Sequence, residues 1–313
     1  GQAWGLPALF WITFVLSLLI AAGSLAALPD RKPNPEHPHG RRSFDWIGGA
    51  LLGLTVGLSL FGVTQAETAG LGAFSSVGCL TGALVAALLF IWRIRTAAQP
   101  FVPPILFRNR TYVRAVVIAF FAMFAYFALI VYVPVMLVEV NGLAPGEAGL
   151  ALLPGGAAVA LLAPWVGRVS DRTGTAPLIL TGLIVMGLSA LWLFAFGTGA
   201  SPMRVAFGVT GAGIAFSFIN SPLSHAAVGA LRQEQVGAGM GIFQGALYLG
   251  AGSGAGIVGA LLHALQHAAD SLNPLYHGDA AAYADAFLAT ACSVLIALIA
   301  AACGLRDRGS SRG

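Results

Sequence analysis

Long apolar runs, interrupted by short polar or proline-rich stretches, set the pattern of this chain. Nine of them, at 6–28, 46–63, 74–94, 116–138, 148–166, 176–196, 205–223, 236–262 and 284–305, approach the ~20 residues that an α-helix needs to cross a bilayer. The pattern is sharpest where two runs flank the polar turn Gly167-Arg168-Val169-Ser170-Asp171-Arg172-Thr173-Gly174. A connection this short makes its two helices antiparallel neighbours and puts its charges at one membrane surface. Arg168 and Arg172 place that surface inside, because positive charge is retained there during insertion. With the turn inside, all of the 16 basic residues except Arg204 fall in inner loops or in an inner C-terminal tail. Span count and orientation therefore support each other.

Composition agrees with this class and removes others. Hydrophobic residues make up 58% and charged residues 9%, and mean hydropathy is +0.84, far from the ~25% charge of a soluble domain. The chain is expected to be an all-α integral membrane protein. The net charge of +4 is scattered over membrane-edge loops and not gathered on a face, so no nucleic-acid partner is expected. Cys79, Cys292 and Cys303 lie in apolar runs without paired spacing and read as small packing residues. The first run lacks a basic leader and is too long for a signal core, so it reads as a true span, in a piece of a longer protein that begins at Gly1.

Two loops divide the runs into units. The stretches 30–43 and 95–111, rich in proline and charge, resemble connectors and bracket a two-helix unit. Six spans follow, the number expected of one transporter half built from two inverted three-helix repeats. In the polar turn, Gly167 and Gly174 permit tight backbone. Asp171 is expected just before a helix whose N-terminus favours a carboxylate, and Pro177 suits that helix's first turn. The five residues Gly167, Arg168, Asp171, Arg172 and Gly174 read as an inner conformational latch, against the plainer reading of a capped turn with inner arginines.

Polar and aromatic residues within apolar spans mark a candidate cavity, since bare polar groups in lipid are costly and face protein or water. Ser217, Asn220 and Ser224 follow i, i+3, i+7 spacing beside Pro222, and Gln244 and Tyr248 follow i, i+4. Phe120, Phe121, Phe124, Tyr126, Phe127 and Tyr132 crowd the run at 116–138. For Asn220 and Gln244, hydrogen bonding between helices is the competing account. Glu139 is an exit-side charge that either attracts cationic molecules or is merely solvated. No Asp, Glu, Lys or Arg falls at mid-depth of a run, and the runs 176–196 and 284–305 read as peripheral, with only small polar groups.

Two patterns are set aside. The glycines from Gly250 to Gly256 lack a preceding strand and sit inside a span, so they read as a close helix contact and not as a nucleotide loop. His263, His267 and Asp270 share a helical face, but two imidazoles and a carboxylate make a weak zinc site and no metal is expected. No constellation of nucleophile, acid and base points to an enzyme.

The turn at Gly167, Asp171, Arg172 and Gly174 resembles the G-x-x-x-D-R-x-G signature between the second and third helices of a half in the major facilitator superfamily. Ser43-Phe44-Asp45-Trp46-Ile47-Gly48 resembles the start of the first linker helix in its fourteen-spanner drug:proton antiporter branch. Pro104-Ile105-Leu106-Phe107-Arg108-Asn109-Arg110 is similar to that branch's lead into the C-terminal half. Tyr132-Val133-Pro134 with Gly142, Pro145, Ala148-Gly149 and Leu153-Pro154 is similar to the first hairpin there. The resemblance implies a helical bundle of about nine spans from which the first five of fourteen are missing. Residues 1–30 would be the last helix of the N-terminal half, 31–43 a loop, 44–95 two linker helices, 96–112 a connector, 113–306 the six-helix C-terminal half and 307–313 a tail. The first, second, fourth and fifth helices of the half would line the pathway. The family usually has a basic residue where Thr175 stands and often one where Leu247 stands, and this chain departs at both.

The resemblance further implies proton-driven export of hydrophobic, amphipathic or cationic drugs by alternating access, in a bacterial inner membrane with the C-terminus cytoplasmic. It implies no cofactor beyond the proton gradient, and the bilayer and a missing N-terminal half as partners. A dedicated exporter of one antibiotic or metabolite, and a non-transporting membrane fragment or partner subunit, are the alternatives.

Overall fold

The computed structural model describes residues 5–27, 45–70, 72–97, 100–198, 201–266 and 279–310. Among them there is no strand; apolar runs without a polar face satisfy their backbone within helices. The chain divides into two compact units, Gly1–Ser43 and Phe44–Gly313. The first unit contains α1 (Gly5–Ala27), in which the hydroxyls of Ser17 and Ser24 donate to the Thr13 and Ile20 carbonyls one turn back, both at 2.8 Å. Its described apolar stretch, Thr13–Ser24, is shorter than a full span, whereas eight helices of the second unit are long and apolar enough to cross a membrane.

The second unit begins with the hairpin of α2 (Trp46–Ala69) and α3 (Phe74–Thr96). After a 3-10 turn at Pro104–Arg108 come α4 (Arg110–Glu139), the short α5 (Pro145–Leu150), α6 (Leu153–Thr173), α7 (Thr175–Phe196), α8 (Pro202–Gly229), α9 (Val236–Gln266) and α10 (Asp279–Ser310). α4 is the hub, packed against α8, α9 and α10. α7 lies between α8 and α10, α6 leans on α8, and α2 covers part of α9. The buried positions of α4 recur every three or four residues, from Ala115 through Ala119, Ala122, Leu129 and Val133 to Leu137, as one helix face turned into a core requires.

Small residues set the helix separations. A Cβ on Gly250 would overlap the Phe120 carbonyl oxygen, and one on Gly254 the Phe124 carbonyl oxygen, so α4 and α9 meet backbone to backbone there. Gly213 of α8 meets the Gly155 carbonyl of α6 in the same way. The glycine-rich run is thus a packing seam, the kind of contact that draws helices together where lipid offers no hydrophobic drive. Tyr132, a cavity candidate by sequence, belongs to the same seam. Its side chain is buried and its hydroxyl donates to the Ala255 carbonyl at 2.6 Å. Tyr132→Phe is expected to cost about 1 kcal/mol in an unfolding titration.

One end of the unit is tied by polar contacts that the apolar pattern gave no sign of. Asp45 caps α2 by accepting from the Gly48 N–H at 3.0 Å, pairs with Arg93 of α3 at 3.1 Å, and accepts from the Phe101 N–H at 3.2 Å. Asn109 caps α4 through the Thr111 and Tyr112 N–H groups and donates to the Ala230 carbonyl. The buried Tyr112 hydroxyl donates to the Gly239 carbonyl at 2.6 Å. The Gly48 N–H lowers the Asp45 pKa from its ordinary 3.8, with Arg93 and Phe101 acting in the same direction and burial opposing them. A depressed folded-state pKa means that this contribution is complete above 3.8 and is lost as pH falls through the lowered value. Melting temperature is expected to fall on acidification below about pH 4, and less steeply in Asp45→Asn, which starts lower.

Several helix bounds differ from the sequence expectation. α6 does not stop at Val166 but continues through Arg168, Asp171 and Arg172 to Thr173, because the exposed charged turn is as able to be helical as the apolar run before it. Only Gly174, at φ 82°, breaks it. Asp171 therefore lies in the last turn of α6, not at the cap of α7, and Gly167 is an ordinary helical residue. The run at 148–166 divides at Ala151 and Leu152 into α5 and α6, with Pro154 in the first turn of α6. α10 starts earlier than residue 284, so Asp285 lies inside it and is 4% exposed. The span that includes residues 284–305 therefore carries a buried carboxylate and not only small polar groups.

Candidate functional site

Inside the second unit, α4, α8 and α9 with α7 enclose a narrow slot bordered by Ala122, Met123, Met186, Phe216, Asn220 and Leu247. Asn220 is its one polar side chain. The residue is half-buried and its carboxamide makes no hydrogen bond, although its own backbone carbonyl accepts from the Ser224 hydroxyl at 3.0 Å. Hydrogen bonding between helices, the competing account of Asn220, is therefore not what the structure has. Pro222 adds to the local polarity because it has no N–H to give to the Phe218 carbonyl.

A second hollow, of about 180 Å3, lies among α4, α6 and α8, with Tyr126, Leu129, Gly155, Val209 and Gly213 on its walls. The two spaces are separated by one aromatic pair. Tyr126 borders the larger hollow, Phe216 borders the Asn220 slot, and their rings stack with centroids 4.2 Å apart and planes 18° from parallel. Phe216 was not among the residues singled out by sequence, although the signal was present, since Phe216 and Asn220 are four apart and share a helix face.

The other candidates lie elsewhere. Ser217 turns toward α6, its hydroxyl donating to the Gly213 carbonyl at 3.2 Å and the Val159 carbonyl at 3.4 Å, and is buried. Gln244 and Tyr248 lie on an exposed face of α9, Tyr248 being 69% exposed, and neither makes a hydrogen bond. Leu247 is the α9 residue that reaches the slot. Phe120, Phe121, Phe124 and Phe127 are half-buried along α4, with Phe120 and Phe121 edge to face at 5.1 Å. At the end of α4, exposed Glu139 accepts a hydrogen bond at 2.5 Å from the buried Tyr283 hydroxyl of α10, so this charge also anchors two helices. Arg168, Asp171 and Arg172 are exposed around the α6 to α7 turn and make neither an ion pair nor a hydrogen bond. Of the set-aside metal triad, His267 and Asp270 lie outside the described residues; no group of three His, Cys, Asp or Glu side chains comes together among the described ones.

Chemically, the walls of the slot and hollow are apolar and aromatic with the Asn220 carboxamide and the Tyr126 hydroxyl among them, and they offer no charge. The sequence profile of the Major Facilitator Superfamily matches residues 1–255 and, in a second match, 115–312. The multidrug resistance protein Stp of Mycobacterium tuberculosis is 27% identical over 262 residues, covering 83% of this chain and 48% of that protein. The tetracenomycin C resistance and export protein of Streptomyces glaucescens is 25% identical over 274 residues, covering 82% of this chain and 47% of that protein. The lincomycin resistance protein LmrB of Listeria monocytogenes is 26% identical over 146 residues, covering 47% and 31%. The chain spans about half the length of the first two of these relatives.

Proposed function

We propose, from the premise that this chain belongs to the Major Facilitator Superfamily, that it forms the C-terminal part of a fourteen-span, proton-driven exporter of hydrophobic or amphipathic drugs. Relatives named for multidrug resistance, tetracenomycin C export and lincomycin resistance support this substrate class. On this reading α4 and α6 to α10 are one transporter half, α2 and α3 are the linker pair, and α1 is the last helix of the other half. The membrane is a bacterial inner membrane and the arginine-rich end is cytoplasmic.

The observation that carries the reading is the Asn220 amide, without a partner in an apolar slot behind the Tyr126–Phe216 stack. The slot, at about 10 Å3, has room for about one water, so a drug enters only when the half rearranges. That is the behaviour alternating access requires. Substrate would displace the stacked rings, lie against Leu247 and Met186, and give Asn220 its hydrogen bond. The exposed Arg168, Asp171 and Arg172 would contact the other half in one state and release it in the other.

The test is ethidium efflux from vesicles containing the complete protein. Efflux that collapses when a protonophore removes the gradient is expected. Efflux indifferent to the gradient would end the proton-coupled reading, and a complete protein that moves neither ethidium nor any related amphiphile would end the exporter reading.

A further inference from the structure

A groove of about 650 Å3 opens on the outer surface of the second unit, between α7 and α8, and the drug path does not use it. Its walls are Leu188, Leu191, Trp192, Phe196, Phe207 and Ile214. The hydroxyls of Ser189 and Thr210, which also border it, donate to the Val185 and Ala206 carbonyls of their own helices, so the groove has no free hydroxyl donor. Along α7 the lining runs from Val185 to Phe196, from the middle of the helix to its end. At ~1.5 Å per residue that is roughly 16 Å, the depth of one leaflet of a ~30 Å hydrocarbon core.

The end of the groove away from the bilayer centre has its own chemistry. Trp192 rests against Phe196 and Phe207, with ring centroids 4.9 and 5.0 Å away, and its indole N–H donates to the Arg204 carbonyl at 3.0 Å. This is the amphipathic placement of an interfacial tryptophan. Arg204 lies one turn before Phe207 and Gly208. Its side chain is exposed and makes neither ion pair nor hydrogen bond, and it is the one basic residue outside the inner loops and tail. A leaflet-deep apolar groove with an unpaired guanidinium at its polar rim complements one amphiphile of the bilayer, an anionic phospholipid.

We infer that the α7–α8 groove seats one acyl chain of an anionic phospholipid and that Arg204 holds its phosphate. The inference needs only the membrane-spanning fold and stands or falls apart from the transport reading. Arginine fits a phosphate with two parallel N–H donors, and a basic group near an anionic headgroup favours it by about fivefold. The lipid would also stabilise the α7 to α8 connection.

The experiment uses the complete protein in liposomes containing phosphatidylglycerol or phosphatidylcholine with bromine on the acyl chains. The fluorescence of Trp192 is isolated as the difference between wild type and Trp192→Phe. At equal mole fraction the anionic lipid is expected to quench this signal with about fivefold higher apparent affinity. Arg204→Gln is expected to abolish the preference while leaving quenching by phosphatidylcholine unchanged; since the Arg204 side chain makes no bond, this variant folds. Equal quenching by the two lipids, or an unchanged preference in Arg204→Gln, overturns the inference. So does the absence of Trp192 quenching by either lipid, as a second copy of the chain covering the groove would give.

Discussion

Gly254→Leu is expected to destabilise the protein by about 3 kcal/mol, the upper part of the range for overpacking a tight core. A Cβ at this position lies 2.8 Å from the Phe124 Cα and carbonyl carbon and closer still to the carbonyl oxygen. These are backbone atoms of the hub helix and cannot rotate away. α4 and α9 must separate, and the separation breaks the Tyr132 bond to the carbonyl of the adjacent Ala255. Leucine is a better helix former than glycine by nearly 1 kcal/mol, so the local propensity term acts against this loss and does not cause it. Gly245→Leu is the control. Gly245 is on the same helix with nothing within 4 Å of its added Cβ, and it is expected to melt with or slightly above wild type. Unfolding midpoints of the three proteins in one detergent check the pair.

Asn220→Leu is expected to separate stability from transport. The Asn220 carboxamide makes no hydrogen bond to another described residue, so its removal breaks no protein contact and the melting temperature is expected to stay level. If the complete protein is the exporter proposed above, export falls at the same time. A hydrogen bond to bound drug is worth about 0.5–1.5 kcal/mol, and losing it in a slot with room for about one water lowers drug-dependent flux by roughly two- to tenfold. Loss of stability together with loss of flux would mean that Asn220 is a packing residue. Efflux rates and melting curves measured on the same preparation distinguish the two.

The bundle was legible in the sequence because a spanning helix announces itself by apolar length alone. What hydropathy marks, however, is the bilayer and not the helix. α6 passes from Val166 to Thr173 without a break because Arg168, Asp171 and Arg172 are equally helical once outside the apolar layer, and α10 likewise begins at Asp279, so that Asp285, at the edge of the apolar run, lies about two turns inside the helix. The site was legible in part. Spacing put Ser217 and Asn220 on one side of α8, but three residues leave them about 60° apart, enough to turn Ser217 to α6 and Asn220 to the slot. Phe216, about 40° from Asn220, was the better partner. On α9 the seam of Gly250 and Gly254 fixes which face meets α4, so that Leu247, three residues before Gly250, points inward. Gln244 and Tyr248 remain on an exposed face. Polarity suggested the opposite. Asp45 with Arg93, and Glu139 with Tyr283, join residues far apart in sequence, and no local pattern could have paired them.

The most direct test of a substrate path behind the Tyr126–Phe216 stack is the accessibility of position 220 in the complete protein. Cys79, Cys292 and Cys303 are replaced by serine and Asn220→Cys is introduced. Its reaction with a small water-soluble thiol reagent is then timed with and without saturating drug. The expected result is slow modification in the absence of drug, as the slot opens during the transport cycle, and several-fold protection when drug is bound. A residue 220 that is never modified in a protein still exporting drug, or one modified at the same rate with and without drug, would contradict the assignment.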